Sequence, residues 1–200
     1  MRTLVRLLIE SVEDVLSGPG FCETIVSTTV DGRPYATPIG ASPRGRDIVA
    51  FRCFRGSTLY RVLAPGHEIV FNVCSDPRKF VDALLHRDRL AFVPGARVSA
   101  PRVDGCEAYV EAVIESFRDL GEARWFQARA LLIEVRAPPR AYRRVLGLVI
   151  EALIELTRLG IEGVESRVEL IREMCRRIEH LGEESLARSI LEALSRRLSS

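Results

Sequence analysis

The hydrophobic period of this chain changes twice, and those changes restrict the fold more than any single motif. Val5, Leu8, Val12, Val15 and Leu16 share one face of a helix over Thr3–Leu16, which Gly18-Pro19-Gly20 stops. Phe21–Val30 then alternates and is rich in β-branched residues. Asp31-Gly32 signals a two-residue hairpin, with a return strand from Arg33 to about Gly40. Pro138-Pro139 closes the strand-like stretch. Beyond it apolar residues recur every three to four positions in segments near Tyr142–Leu159, Glu162–Leu181 and Glu184–Leu198, parted around Gly160 and Gly182.

Between those limits the pattern is of strands with two short helices. Ala41–Arg46, carrying Pro43 and Gly45, reads as a loop before a strand at Asp47–Phe54. Ser57 caps a helix that buries Leu59, Val62 and Leu63 and ends at Pro65-Gly66. Glu68–Cys74 is nearly all apolar, as a strand covered on both faces requires. Asp76-Pro77 opens another helix, with Phe80, Ala83 and Leu84 on its buried face. Two more strands fall near Ala108–Phe117 and Trp125–Arg136, connected around Gly121. The expected fold is α+β, with a β domain over 1–138 and a three-helix module over 139–200.

The chemistry concentrates where the third strand hands over to its helix. Arg55-Gly56-Ser57-Thr58 places a cation, a flexible glycine and two hydroxyls at a helix start, where free backbone N–H groups favour an anion such as phosphate. The same four residues also suit a plain surface turn with a serine cap. They lack the glycine count of a Walker loop or a dinucleotide fingerprint. Thr37-Pro38-Ile39-Gly40 closes a strand with residues that expose edge N–H and C=O groups. Asn72, alone inside the apolar strand, either bonds neighbouring backbone, faces a ligand or fixes the loop that does.

Composition removes other classes. Net charge is only +2 with both signs interleaved, which argues against a nucleic-acid or anionic-membrane surface. No segment approaches the roughly 18–20 apolar residues of a membrane span, and Arg6 interrupts the early apolar run, so no signal peptide is expected and a cytoplasmic protein is. Asn72 and Gln127 are each the sole residue of their type, a depletion of thermolabile amides that fits a heat-adapted source, while Lys79 is the only lysine, an arginine excess that base-composition bias could also produce. The five cysteines have no metal-type spacing and read as reduced, space-filling thiols, with a disulfide as the alternative in a heat-adapted chain. His67, His86 and His180 lie in different elements, so no metal site is expected, and no Ser-His-Asp or Cys-His arrangement can be argued. Glu23 and Trp125 could each approach a bound ring, or could be an outward carboxylate and a packing residue.

Together, Thr37-Pro38-Ile39-Gly40, Arg55-Gly56-Ser57-Thr58-Leu59-Tyr60 and Val70-Phe71-Asn72-Val73 resemble the FMN-binding split β-barrels, especially the flavin-reductase-like branch. The layout is also similar to a mainly archaeal family of such barrels with a helical C-terminal extension. The resemblance covers about residues 21–136. It implies an antiparallel split barrel, with FMN phosphate held by Arg55, Ser57 and Thr58 and the ring along Thr37, Pro38, Ile39 and Gly40. It further implies a homodimer using a small-molecule redox substrate or a nicotinamide or deazaflavin donor. Where the reductase pattern has serine and aspartate, this chain has Gly40 and Ser57, which bears on hydride transfer more than on flavin binding. The alternatives are a non-catalytic flavin or phosphate-ligand binder, and an interaction module built on the helical tail.

Overall fold

The computed structural model describes residues 11–16, 21–137, 144–160 and 163–199. Gly18-Pro19-Gly20, Pro138-Pro139 and the expected helix starts at Tyr142 and Glu162 lie outside them, as does most of the Thr3–Leu16 segment. Within that segment Ser11 has extended backbone and caps α1 (Val12–Val15), its N–H donating to Asp14 at 3.0 Å. Among the described residues the helix begins only after Ser11, because the capping serine takes an extended backbone ahead of the first turn.

Eight strands follow: β1 (Cys22–Val30), β2 (Arg33–Pro43), β3 (Ile48–Phe54), β4 (Glu68–Val73), β5 (Phe92–Val93), β6 (Arg102–Val103), β7 (Ala108–Asp119) and β8 (Ala123–Val135). Six of them close an antiparallel barrel in the order β1-β2-β3-β8-β7-β4, while β5 and β6 form a separate two-stranded sheet. The Asp31-Gly32 turn joins β1 to β2 with φ of 50° and 73°, the left-handed pair that a type I′ hairpin needs. β2 runs through Pro43, past the loop expected from Ala41, because Ala41, Ser42 and Pro43 pair with Phe51, Ala50 and Val49.

Alternate residues of the strands point into the barrel, where Phe51 stacks on Phe126 at 5.2 Å and meets Phe71 edge-on at 5.4 Å. Val26, Val49, Ile69, Val110 and Ile114 complete this core, and Val12 and Leu16 of α1 are buried in the same cluster. The helix α2 (Thr58–Val62) adds Leu59.

The chain separates into two compact units: one holds residues up to Cys74 and again from Ala91, the other Ser75–Leu90 with the C-terminal helices. The helical unit consists of α3 (Pro77–Leu85), α4 (Arg144–Thr157), α5 (Val164–His180) and α6 (Glu184–Leu198). A module of three helices starting at 139 was expected. A fourth joins because Phe80, Val81 and Ala83 of α3 are buried and α3 packs against α4 and α6. Buried carboxylates lock this unit: Glu183 meets Arg78 at 2.8 Å, and Glu155 pairs with Arg158 and Arg167. Among the described residues no helix is long and apolar enough to cross a membrane.

Candidate functional site

The barrel is not paired evenly all round. β1 pairs with β2 from Cys22↔Ala41 to Val30↔Arg33, and β3 pairs with β8 from Ile48↔Arg129 to Phe54↔Ala123. Between β2 and β3, however, pairing is confined to Ala41–Pro43 against Val49–Phe51. The two strands part beyond that point. Thr37, Pro38, Ile39 and Gly40 lie on the edge of β2 that faces this opening, with no strand among the described residues paired to them on that side. Pro38 lacks an N–H and is tolerated on such an edge. On the other lip, β3 continues through Arg52, Cys53 and Phe54 into Arg55-Gly56-Ser57-Thr58. The sequence-predicted residues of β2 and of the turn thus border the same gap.

The turn is held by the β7–β8 hairpin. Arg55 donates its backbone N–H to Glu122 at 2.8 Å and its Nε to Gly121 O at 3.0 Å. Its remaining guanidinium nitrogens have no carboxylate partner among the described residues. Gly56 has φ of 89°, a conformation that a side chain would strain. Ser57 caps α2 by accepting from Tyr60 N at 3.3 Å. With five residues, α2 is too short to sum a sizeable helix dipole. An anion here would depend on Arg55, the local N–H groups and the two hydroxyls.

Arg124 fastens α2 to the hairpin. Its guanidinium lies over Tyr60 at 4.2 Å and Phe117 at 4.8 Å, bonds Asp119 at 3.0 Å and donates to Tyr60 O at 3.0 Å. The Gly121 N–H and then Arg124 hold the Asp119 carboxyl below its usual pKa.

Asn72 is enclosed and used by the protein itself. Its amide donates to Ile25 O at 2.7 Å, Ser27 Oγ at 2.8 Å and Val70 O at 3.2 Å, and accepts from Val103 N at 2.7 Å. With no exposed atom and every group engaged, it positions segment 91–107 and has no donor left to offer a ligand.

That segment rests on a polar network that the sequence reading missed. Glu111, fully buried, accepts from Ala96 N at 2.7 Å, Arg97 N at 2.6 Å and Arg102 Nε at 2.6 Å. Arg102 also reaches Glu134 at 2.7 Å and lies over Tyr109, whose hydroxyl bonds Val103 O and Cys106 N. A carboxylate between Val110 and Ala112 in an apolar strand was the available signal, of the same kind as Asn72.

Cys74 and Cys106 form a disulfide, which corrects the expectation of five reduced thiols. The fold brings the end of β4 beside the start of β7, with Cα atoms 4.7 Å apart, a proximity invisible in the linear spacing. Cys53 and Cys175 are free, and burial pushes their pKa values up to about 12 and about 11, Glu179 assisting at Cys175. Neither is an activated thiol. His67 Nδ1 accepts from Ala64 N at 3.2 Å, and among the described residues no group of three His, Cys, Asp or Glu is placed to hold a metal.

The outer face of the opening is aromatic. Trp125, paired with Arg52 across β3 and β8, packs on Phe21 with ring centroids 5.7 Å apart. Arg52 lies over the Phe54 ring at 4.5 Å and reaches Trp125 at 6.0 Å.

The class of fold is thus α+β: a closed antiparallel six-stranded barrel, parted between two of its strands, with helices following it in the chain. The family described as "Protein of unknown function (DUF447) N-terminal domain" matches residues 22–137, and the chain belongs to it. The crystal structure of the FMN-bound protein MM1853 from Methanosarcina mazei superposes with a TM-score of 0.74 at 23% identity, covering 90% of this chain and 98% of that one. The flavin reductase HpaC complexed with NADP+ superposes with a TM-score of 0.51 at 15% identity, covering 66% of this chain and 88% of the other. No protein of curated function matches the chain.

Proposed function

We propose that this protein binds FMN in the opening between β2 and β3 and serves as a flavin-dependent oxidoreductase. One observation carries the reading: the parting of β2 from β3 brings Thr37–Gly40 and Arg55–Thr58 to the two lips of a single gap. The FMN-bound relative with the same barrel and helical extension supports it. The donor set suits the group. Arg55 has guanidinium nitrogens without a carboxylate partner among the described residues, Ser57 and Thr58 carry hydroxyls, and nothing lies within 4 Å of where a Gly56 Cβ would stand.

In this reading Arg55 neutralises the phosphate while the two hydroxyls and the Gly56 amide orient it. The unpaired edge of Thr37, Pro38, Ile39 and Gly40 offers backbone groups to the polar rim of the ring. Asn72 contributes through the segment it fixes, by way of Val103. Bound flavin would supply the redox chemistry, and the chain's part is to hold it and control access. A homodimer, which would let two subunits enclose each site, belongs to the proposal.

Gly40, standing where reductase-type sequences place serine, favours a second reading in which flavin is carried without turnover. Visible flavin absorbance in freshly purified protein, released on denaturation, is expected under both. Anaerobic mixing with a nicotinamide or deazaflavin donor separates them: bleaching at catalytic rates identifies an enzyme, and slow bleaching a carrier. Light scattering should return the mass of two chains. Colourless protein that takes up no added FMN would defeat the proposal.

A further inference from the structure

We propose that Trp125, Phe54 and Phe21, with Arg52, form the wall against which the ring system of the cofactor stacks, an inference that rests on the FMN reading above. Strand pleating sends Phe51 and Cys53 into the barrel core and turns Arg52 and Phe54 outward. Register then sets Trp125 directly beside Arg52. Phe21 reaches the same place from the start of β1, over Gly40. A Cβ on Gly40 would come within 3.3 Å of the Phe21 Cβ, so the bare glycine lets Phe21 lie close to the β2 edge. The four side chains border the opening from two strands, β3 and β8, and the residue preceding β1.

Single exposed aromatics are ordinary, but this group is contiguous and carries a cation. Phe21 and Phe54 are 49% and 56% exposed. Arg52 has aromatic rings beneath it and no carboxylate partner among the described residues. Indole and phenyl faces topped by guanidinium complement a planar, electron-poor, anion-bearing ring. Phe54 also leads directly into Arg55, so the wall is continuous with the proposed phosphate contacts. Four side chains are far fewer than the roughly 20–30 residues a side of a standard protein interface, which favours a small planar occupant.

Indole in contact with flavin quenches flavin emission by electron transfer, and this provides a readout independent of turnover. FMN bound to the wild-type protein should emit weakly. Trp125→Phe, which keeps an aromatic ring against Phe21, should raise emission of the bound FMN at least threefold. Phe54→Ala, at an exposed position, should weaken FMN binding roughly threefold to tenfold, the range for one aromatic contact. Bound-FMN emission unchanged in Trp125→Phe, together with unchanged Kd in Phe54→Ala, would overturn the wall. Loss of dimer in those variants with FMN affinity intact would also overturn it and assign the patch to a second copy. Failure of wild-type protein to bind FMN would remove the underlying reading instead, and it is seen before any variant is made.

Discussion

Arg55 and Asn72 looked alike as candidates and differ in what the fold leaves them free to do. Arg55 bonds Gly121 through Nε alone, so the rest of its guanidinium can meet an anion. We expect Arg55→Ala to weaken FMN binding by more than tenfold, about 1.4 kcal/mol, with an unchanged melting temperature. An unchanged Kd in titration would take Arg55 out of the site. Asn72, by contrast, is part of the barrel's internal bonding. Asn72→Leu strands the Val103 N–H and two carbonyls, and should cost about 2–4 kcal/mol in denaturant unfolding followed by Trp125 fluorescence. A loss below 1 kcal/mol, on the order of a single exposed contact, would show that the lock is dispensable.

Segment 91–107 behaves as one element held by charge, amides and a disulfide. The Cys74–Cys106 link closes a loop with a sequence separation of 32, for which chain entropy gives about 3–4 kcal/mol. Cys74→Ser with Cys106→Ser should therefore lower the unfolding free energy by that order, read by denaturation without reductant. Reductant should change nothing further in that variant. The carboxylates add a pH dependence. Ser99 hydrogen bonds hold Glu68 below its usual pKa. Burial alone would raise Glu134, but hydrogen bonds from Arg136 and Arg102 outweigh it and lower that pKa too. Carboxylates depressed in the folded state stabilise it above the unfolded value of 4.5, and that stabilisation disappears as pH falls through the folded pKa. Acid titration of stability should be less steep in Glu134→Gln than in wild type, and equal slopes would contradict this.

At the level of the whole chain, α3 belongs to the helical unit although it is encoded between two barrel strands. A chain ending after Ala137 would retain Phe80, Val81 and Ala83 without the α4 and α6 surfaces that cover them. It should aggregate or bind a hydrophobic dye, while the full chain does not. Phe80→Ser in the full chain should destabilise the helical unit by about 3 kcal/mol or more, from lost burial and a buried hydroxyl. A soluble, dye-negative truncated barrel would show that α3 needs no helical partner.

Local pattern alone determined most strands, the Asp31-Gly32 hairpin, the caps at Ser57 and Asp76 and the helical tail, because period, turn conformation and capping are properties of neighbouring residues. It also marked Thr37–Gly40, Arg55–Thr58 and Asn72 as unusual for their surroundings. What it could not express was distance across the fold. Tertiary structure alone joined Cys74 to Cys106, gave Glu111 its arginine, moved α3 into the helical unit and enclosed Asn72. Register did the same for the outer face, setting Trp125 beside Arg52 at the mouth of the split. Each of these depends on which strands and helices become neighbours, and that is decided by the collective burial of apolar faces.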